Sequence, residues 1–167
     1  MKTVWKVLGF IVGCLVLLLI VLRLTGFDPH GRIPGLWLTG EVVTTPIADW
    51  SFVDRYRTDQ VQTRSWYLLP HSVTTNFFVS NGQLYLTTLF PTGVPFPQDK
   101  SWTSNVIRDR HVRLKFGNRL YDCILSPVTD PTTMATLTAA AIKKYPEIRT
   151  ATVSHGRILH LFQALPE

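Results

Sequence analysis

Ser72-Val73-Thr74-Thr75-Asn76-Phe77-Phe78-Val79-Ser80-Asn81-Gly82-Gln83-Leu84-Tyr85-Leu86-Thr87-Thr88-Leu89 is the stretch from which the architecture can be read. Two β-prone runs flank Asn81-Gly82, a dipeptide suited to the two positive φ angles of a type I′ hairpin turn. A two-residue turn fixes the register. It sets Val79 opposite Leu84 and Phe77 opposite Leu86 on one face, and Phe78 opposite Tyr85 and Asn76 opposite Thr87 on the other. A sheet with one wet face has no use for the Phe78–Tyr85 pair. That face is therefore expected to meet a helix, a cofactor or another subunit.

Beyond this hairpin, Phe90–Asp99 carries Pro91, Pro95 and Pro97 and reads as a loop. A short helix is expected over Lys100–Arg108, with Trp102, Val106 and Ile107 inward. A second hairpin follows, with His111–Phe116 and Arg119–Val128 joined by Gly117-Asn118. Its register sets Val112 opposite Cys123, Leu114 opposite Tyr121, and Arg113 opposite Asp122, a complementary pair. Asp130 and Pro131 are suited to the N-cap and first turn of a helix reaching about Lys144. Met134, Leu137, Ala141 and Tyr145 form its apolar stripe, and Pro146 stops it. Arg157–Ala164 reads as the last strand.

Before the hairpin, Leu38–Thr45, Asp49–Val53 and Val61–Leu69 are strand candidates. Residues 25–37, rich in Gly and Pro, read as a linker. The first 24 residues read as a transmembrane anchor. Val7–Leu22 holds no polar side chain beyond Cys14, and thirteen of its residues are Leu, Ile, Val or Phe. Val4–Leu24 spans about 31 Å as a helix, matching a ~30 Å hydrocarbon core. Those thirteen side chains favour insertion by about 4–8 kcal/mol. No Ala-x-Ala cleavage signal follows the run. Cys14 sits in a lipobox-like Ile11-Val12-Gly13-Cys14, but eight apolar residues continue past it. The division is thus 1–24 anchor, 25–37 linker and 38–167 domain, with residues 4–24 in contact with lipid. Lys2 and Lys6 before the helix favour a cytoplasmic N-terminus and a domain on the periplasmic or extracellular side.

The net charge is +6, but Lys2, Lys6 and Arg23 belong to the anchor region and all 11 acids follow it, leaving +3. That is too small to argue for nucleic acid. No standard catalytic motif is present. The five histidines show no metal-ligand spacing, so no metal site is expected. Cys123, facing Val112, reads as an inert core thiol. Arg108, Arg110, Arg113, Lys115 and Arg119 read either as an anion site or as a solvated, salt-bridged hairpin. Lys100, Ser101 and Trp102, opening a helix after the proline-rich loop, form the best generic anion site.

The segment Trp102-Thr103-Ser104-Asn105-Val106 through Asp109, Val112, Leu114 and Gly117 to Tyr121, with Val128-Thr129-Asp130-Pro131 after it, resembles the pyridoxamine 5′-phosphate oxidase-like split β-barrel superfamily. It is especially similar to the deazaflavin-dependent nitroreductase branch, over about residues 38–145. The resemblance implies a mainly β (α+β) fold: a six-stranded antiparallel split β-barrel with two flanking helices, often dimeric, with a flavin or deazaflavin in a groove beside the barrel. Where the nitroreductases carry a Thr-x-Gly-Arg-x-Ser-Gly-like phosphate segment, this chain has Gln62–Ser72, with Arg64 and a few hydroxyls.

Two readings stay open. One is a membrane-anchored oxidoreductase using FMN or the deazaflavin F420, with Arg64, Thr87, Thr88, Lys100, Ser101 and Trp102 lining the cofactor site. The other is a non-catalytic anchored module on the same barrel that binds haem or another envelope ligand or partner. A homodimer is expected under either.

Overall fold

The structure is a computed structural model that describes residues 2–67, 69–98 and 100–167. Met1, Leu68 and Asp99, read above as part of the anchor, a strand and a loop, lie outside the described residues. The elements in chain order are α1 (Lys2–Thr25), β1 (Glu41–Val42), β2 (Thr58–Arg64), β3 (Pro70–Ser80), β4 (Gln83–Pro91), α2 (Ser101–Arg108), β5 (His111–Phe116), β6 (Arg119–Pro127), α3 (Pro131–Lys144), α4 (Glu147–Val153) and β7 (Arg157–Pro166). Six strands close into an antiparallel barrel in the order β6-β5-β2-β3-β4-β7, and β7 pairs back onto β6. Closure leaves no free sheet edge in the ring.

Turn chemistry sets both hairpins as read from the sequence. Asn81 and Gly82 take φ of 52° and 74°, as a type I′ turn needs, and Val79, Phe77, Phe78 and Asn76 face Leu84, Leu86, Tyr85 and Thr87. In the second hairpin Val112 faces Cys123, Leu114 faces Tyr121 and Arg113 faces Asp122. Asp130 accepts a hydrogen bond from the Thr133 N–H, and Pro131 opens α3.

The barrel interior is filled by Val61, Phe77, Leu86, Leu114, Leu125 and Phe162, among others. Trp50, whose backbone N–H donates to the Gly82 carbonyl, packs on Phe116 and Tyr121 at the end that carries the hairpin turns. α2 lies at the other end, where Asn105 donates to Thr63 (3.0 Å) and Trp102 packs on Phe162. The opposite face of β3, β4 and β7 carries Phe78, Tyr85, Leu159 and Leu161, buried under Leu137, Ala141 and Tyr145 of α3 and Ile148 of α4. The Phe78–Tyr85 pair is therefore covered from within the chain. β3 runs on past its last pairing with β2, at Asn76, and the Tyr145 hydroxyl caps the gap between the Phe77 and Arg57 carbonyls.

Several local expectations are corrected. Leu38–Thr45 forms only the two-residue β1, parallel to Arg119-Leu120, because the Leu38 and Thr39 N–H groups go to the side chains of Gln62 and Asp28 instead of a ladder. Asp49–Val53 is not a strand. Asp49 accepts from both the N–H and the hydroxyl of Ser51, an Asx turn that leads into a 3-10 turn at Ser51–Val53. The strand sought at Val61–Leu69 starts at Thr58 and ends at Arg64. Three helices, not two, accompany the barrel, since Pro146 ends α3 but is pre-organised to start α4. Ile107 is exposed.

α1 is long and apolar enough to cross a membrane, and none of its apolar window is buried against the rest of the chain. The chain that follows packs directly on the barrel. Phe27 pairs with Trp37 and Gly35 with Ser72, while Asp28 accepts from Thr39 and from Lys115 of β5 at 2.5 Å. Burial raises the pKa of that carboxyl, and the bonds from Lys115 and Thr39 more than offset it, holding it below the ordinary value.

Candidate functional site

β6 changes edge partner along its length. Arg119 and Leu120 pair with β1, whereas Cys123–Pro127 pair with β7. At that change a 550 Å³ cleft opens beneath residues 42–47. Its walls come from β2 (Gln62, Arg64), β5 (His111, Arg113), β6 (Tyr121, Asp122), the C-terminal Glu167 and, from the last turn of α1, Arg23. Strand alternation aims Gln62, Arg113 and Asp122 outward from the apolar interior, which places a polar floor under the 42–47 segment.

Charge in the cleft is mostly paired. Arg113 donates two bonds of 2.7 Å to Asp122, and this fork is the main reason the Asp122 pKa is lowered and that of Arg113 raised. Arg64 lies 3.4 Å from Asp109, which also bonds the His111 ring at 2.8 Å. Burial raises the Asp109 pKa, but the His111 bonds and the nearby Arg64 charge bring it below the usual range. Arg23 meets the Trp37 ring at 5.6 Å and has no carboxylate within ion-pair distance among the described residues. Trp50 also borders the cleft, and its buried indole N–H has no hydrogen-bond acceptor among the described residues.

The six residues expected to hold a cofactor fall in different places. Arg64 lines the cleft. Thr88 and Lys100 meet at the α2 end of the barrel, with the ammonium 3.1 Å from the hydroxyl. Ser101 lies next to them and bonds His71 at 2.7 Å. Thr87 faces the other way from Thr88 and bonds the Asn76 carbonyl. Trp102 is buried in the barrel core. The structure thus brings Thr88, Lys100 and Ser101 together and places Arg64, Thr87 and Trp102 elsewhere. Of the basic set, Arg113 and Lys115 are spent on Asp122 and Asp28, and Arg108 bonds the Arg64 carbonyl.

Sequence reading missed Gln62, Glu167, and the roles of Arg23 and His111 in the cleft. They come from widely separated segments, and no local pattern joins them. The opposite facing of Thr87 and Thr88, by contrast, is a period-2 signal that the sequence carries. Cys123 is fully buried, and burial pushes its thiol up to about 12.

Comparison with solved structures finds the same barrel in several proteins. HutZ, the heme storage protein of Vibrio cholerae, superposes with a TM-score of 0.53 at 14% identity, over 70% of this chain and 85% of that one. The conserved hypothetical protein Rv2991 of Mycobacterium tuberculosis gives 0.52 at 14% identity, over 76% and 86%. The fold is a split β-barrel. The F420-H2 dependent reductase FDR-A also matches this split barrel, with a TM-score of 0.50 at 16% identity, over 65% of this chain and 93% of that one. No protein-family model and no curated protein matches the chain.

Proposed function

We propose that the chain is a membrane-anchored split-barrel binding module whose ligand sits in the cleft under residues 42–47. The carrying observation is the cleft itself: 550 Å³ of polar space at the barrel seam, bordered by Arg23, Arg64 and a Trp50 indole N–H without an acceptor among the described residues, while Arg113 in its wall is held by Asp122. These are donors, so the ligand is an acceptor-rich, anionic group. α1 is the anchor, with residues 4–24 in lipid, and the domain lies on the periplasmic or extracellular side. The likeness of the barrel to that of a heme storage protein supports a binding role.

The alternative is a flavin- or deazaflavin-dependent oxidoreductase. The F420-H2 dependent reductase supports it, as does the Thr88–Lys100–Ser101–His71 group, a local donor cluster that a second copy in a homodimer would have to complete. Absorbance and tryptophan fluorescence separate the two. The full chain in detergent is titrated with FMN, F420 and haem. The binding-module reading expects no turnover of a reduced flavin or deazaflavin, and weaker binding of any bound ligand in Arg64→Ala. A tight yellow complex that turns over and is insensitive to Arg64→Ala would overturn it.

A further inference from the structure

β2 ends at Arg64, and the chain turns at once through Trp66 and Tyr67 before β3. These two rings form an edge-to-face pair at 5.5 Å, yet they are 79% and 49% exposed. An exposed tryptophan packed on an exposed tyrosine gains little in water, but the pair suits the headgroup layer of a bilayer, where amphipathic rings collect. The position of the turn is the second observation. Arg64 and Arg23 line the same cleft, and Arg23 belongs to the last turn of the membrane-length helix. The aromatic turn therefore leaves the barrel on the side where α1 would emerge from lipid, beside cations suited to lipid phosphate.

We propose that the barrel rests on the bilayer at this end, with Trp66 and Tyr67 in the headgroup layer and the phosphate of an anionic phospholipid in the Arg23–Arg64 mouth of the cleft. This deepens the anchored-module reading and depends on it. The lipid is the ligand source because α1 holds the cleft mouth at the membrane surface, where lipid phosphates are concentrated. Arg64 has an exposed side chain and only a 3.4 Å contact to Asp109, so a phosphate can recruit it without breaking a buried pair. Arg113, held by its fork to Asp122, stays in the wall.

The test uses the full chain in vesicles of phosphatidylcholine, with or without phosphatidylglycerol, whose acyl chains carry bromine just below the headgroups. Flotation reads the anchor, and bromine quenching of tryptophan reads the docking. Trp66→Phe isolates the Trp66 signal from that of Trp5, and being exposed it leaves the fold intact. The expected result is flotation in every case, with extra quenching when phosphatidylglycerol is present. That increment is lost in Trp66→Phe, and Arg64→Gln raises the phosphatidylglycerol needed for it about fivefold. A chain that floats but shows the same quenching with and without Trp66 overturns the docking and leaves the anchor standing. A chain that does not float overturns both. If inorganic phosphate added to phosphatidylcholine vesicles reproduces the Arg64-dependent effect, the ligand is free phosphate and the lipid assignment fails.

Discussion

Replacing Asp59 with Asn should stabilise the protein at neutral pH. Asp59 lies on β2 opposite Thr75, with its side chain turned into the barrel and shut off from solvent. One carboxyl oxygen accepts the Thr75 hydroxyl at 2.5 Å, and the other has no partner among the described residues. Burial outweighs the Thr75 bond and the Lys144 charge, raising the pKa from 3.8 to about 6. The sign follows from linkage. Below the unfolded value both states hold the proton and the group costs nothing. As pH rises from there, the unfolded chain ionises first, and stability falls until the folded carboxyl also ionises near 6. The full penalty is about 3 kcal/mol, of which about 2.4 kcal/mol accrues between about pH 4 and about pH 7.5. Asn keeps an acceptor for Thr75 and cannot ionise. Urea unfolding of the full chain in detergent, followed by tryptophan fluorescence at both pH values, gives the difference between wild type and D59N. The other titrating groups are common to both proteins and cancel. The difference should move toward D59N by about 2 kcal/mol on going to the higher pH. A pH-independent difference would refute the reasoning, because it would mean Asp59 is not held protonated by burial.

Phe78→Ala should cost about 3–5 kcal/mol in the same unfolding assay, since the ring is fully packed between Tyr85 and α3. Its loss should act on folding and leave the sedimentation of the folded fraction unchanged. Gly35→Ala should break the attachment of the chain after α1, because a Cβ there would sit 2.2 Å from the Phe27 carbonyl oxygen and 2.7 Å from the Pro29 nitrogen. Faster proteolysis within residues 26–39 would report it, and an unchanged digestion pattern would count against the close approach. Cys123 should resist iodoacetamide in the folded chain near neutral pH and react once urea unfolds it, because burial both hides the thiol and holds its pKa at about 12. Mass spectrometry of the peptide containing position 123 gives the answer.

Much of the fold was legible because it is set by short-range chemistry. Asn81-Gly82 and Gly117-Asn118 dictate two-residue turns, and a two-residue turn leaves one register per hairpin. Asp130-Pro131 starts α3 for a reason contained in those two residues, and the uniform apolarity of Val7–Leu22 makes α1 of membrane length. Local chemistry also explains what failed. Asp49 bonding Ser51 outcompetes a strand, and Gln62 and Asp28 take the N–H groups that would have extended β1. Tertiary structure alone decided that β2 lies between β3 and β5 and that β7 closes on β6, since such pairings follow from which apolar faces can be buried together across distant segments. It also decided that the Phe78–Tyr85 face is covered by α3 and α4, a choice the sequence left open among helix, cofactor and subunit. The cleft belongs to the same class. Arg23, Arg64, Arg113 and Glu167 share no spacing that a reader of the chain could detect, because a seam in a closed barrel exists only once the ring is formed.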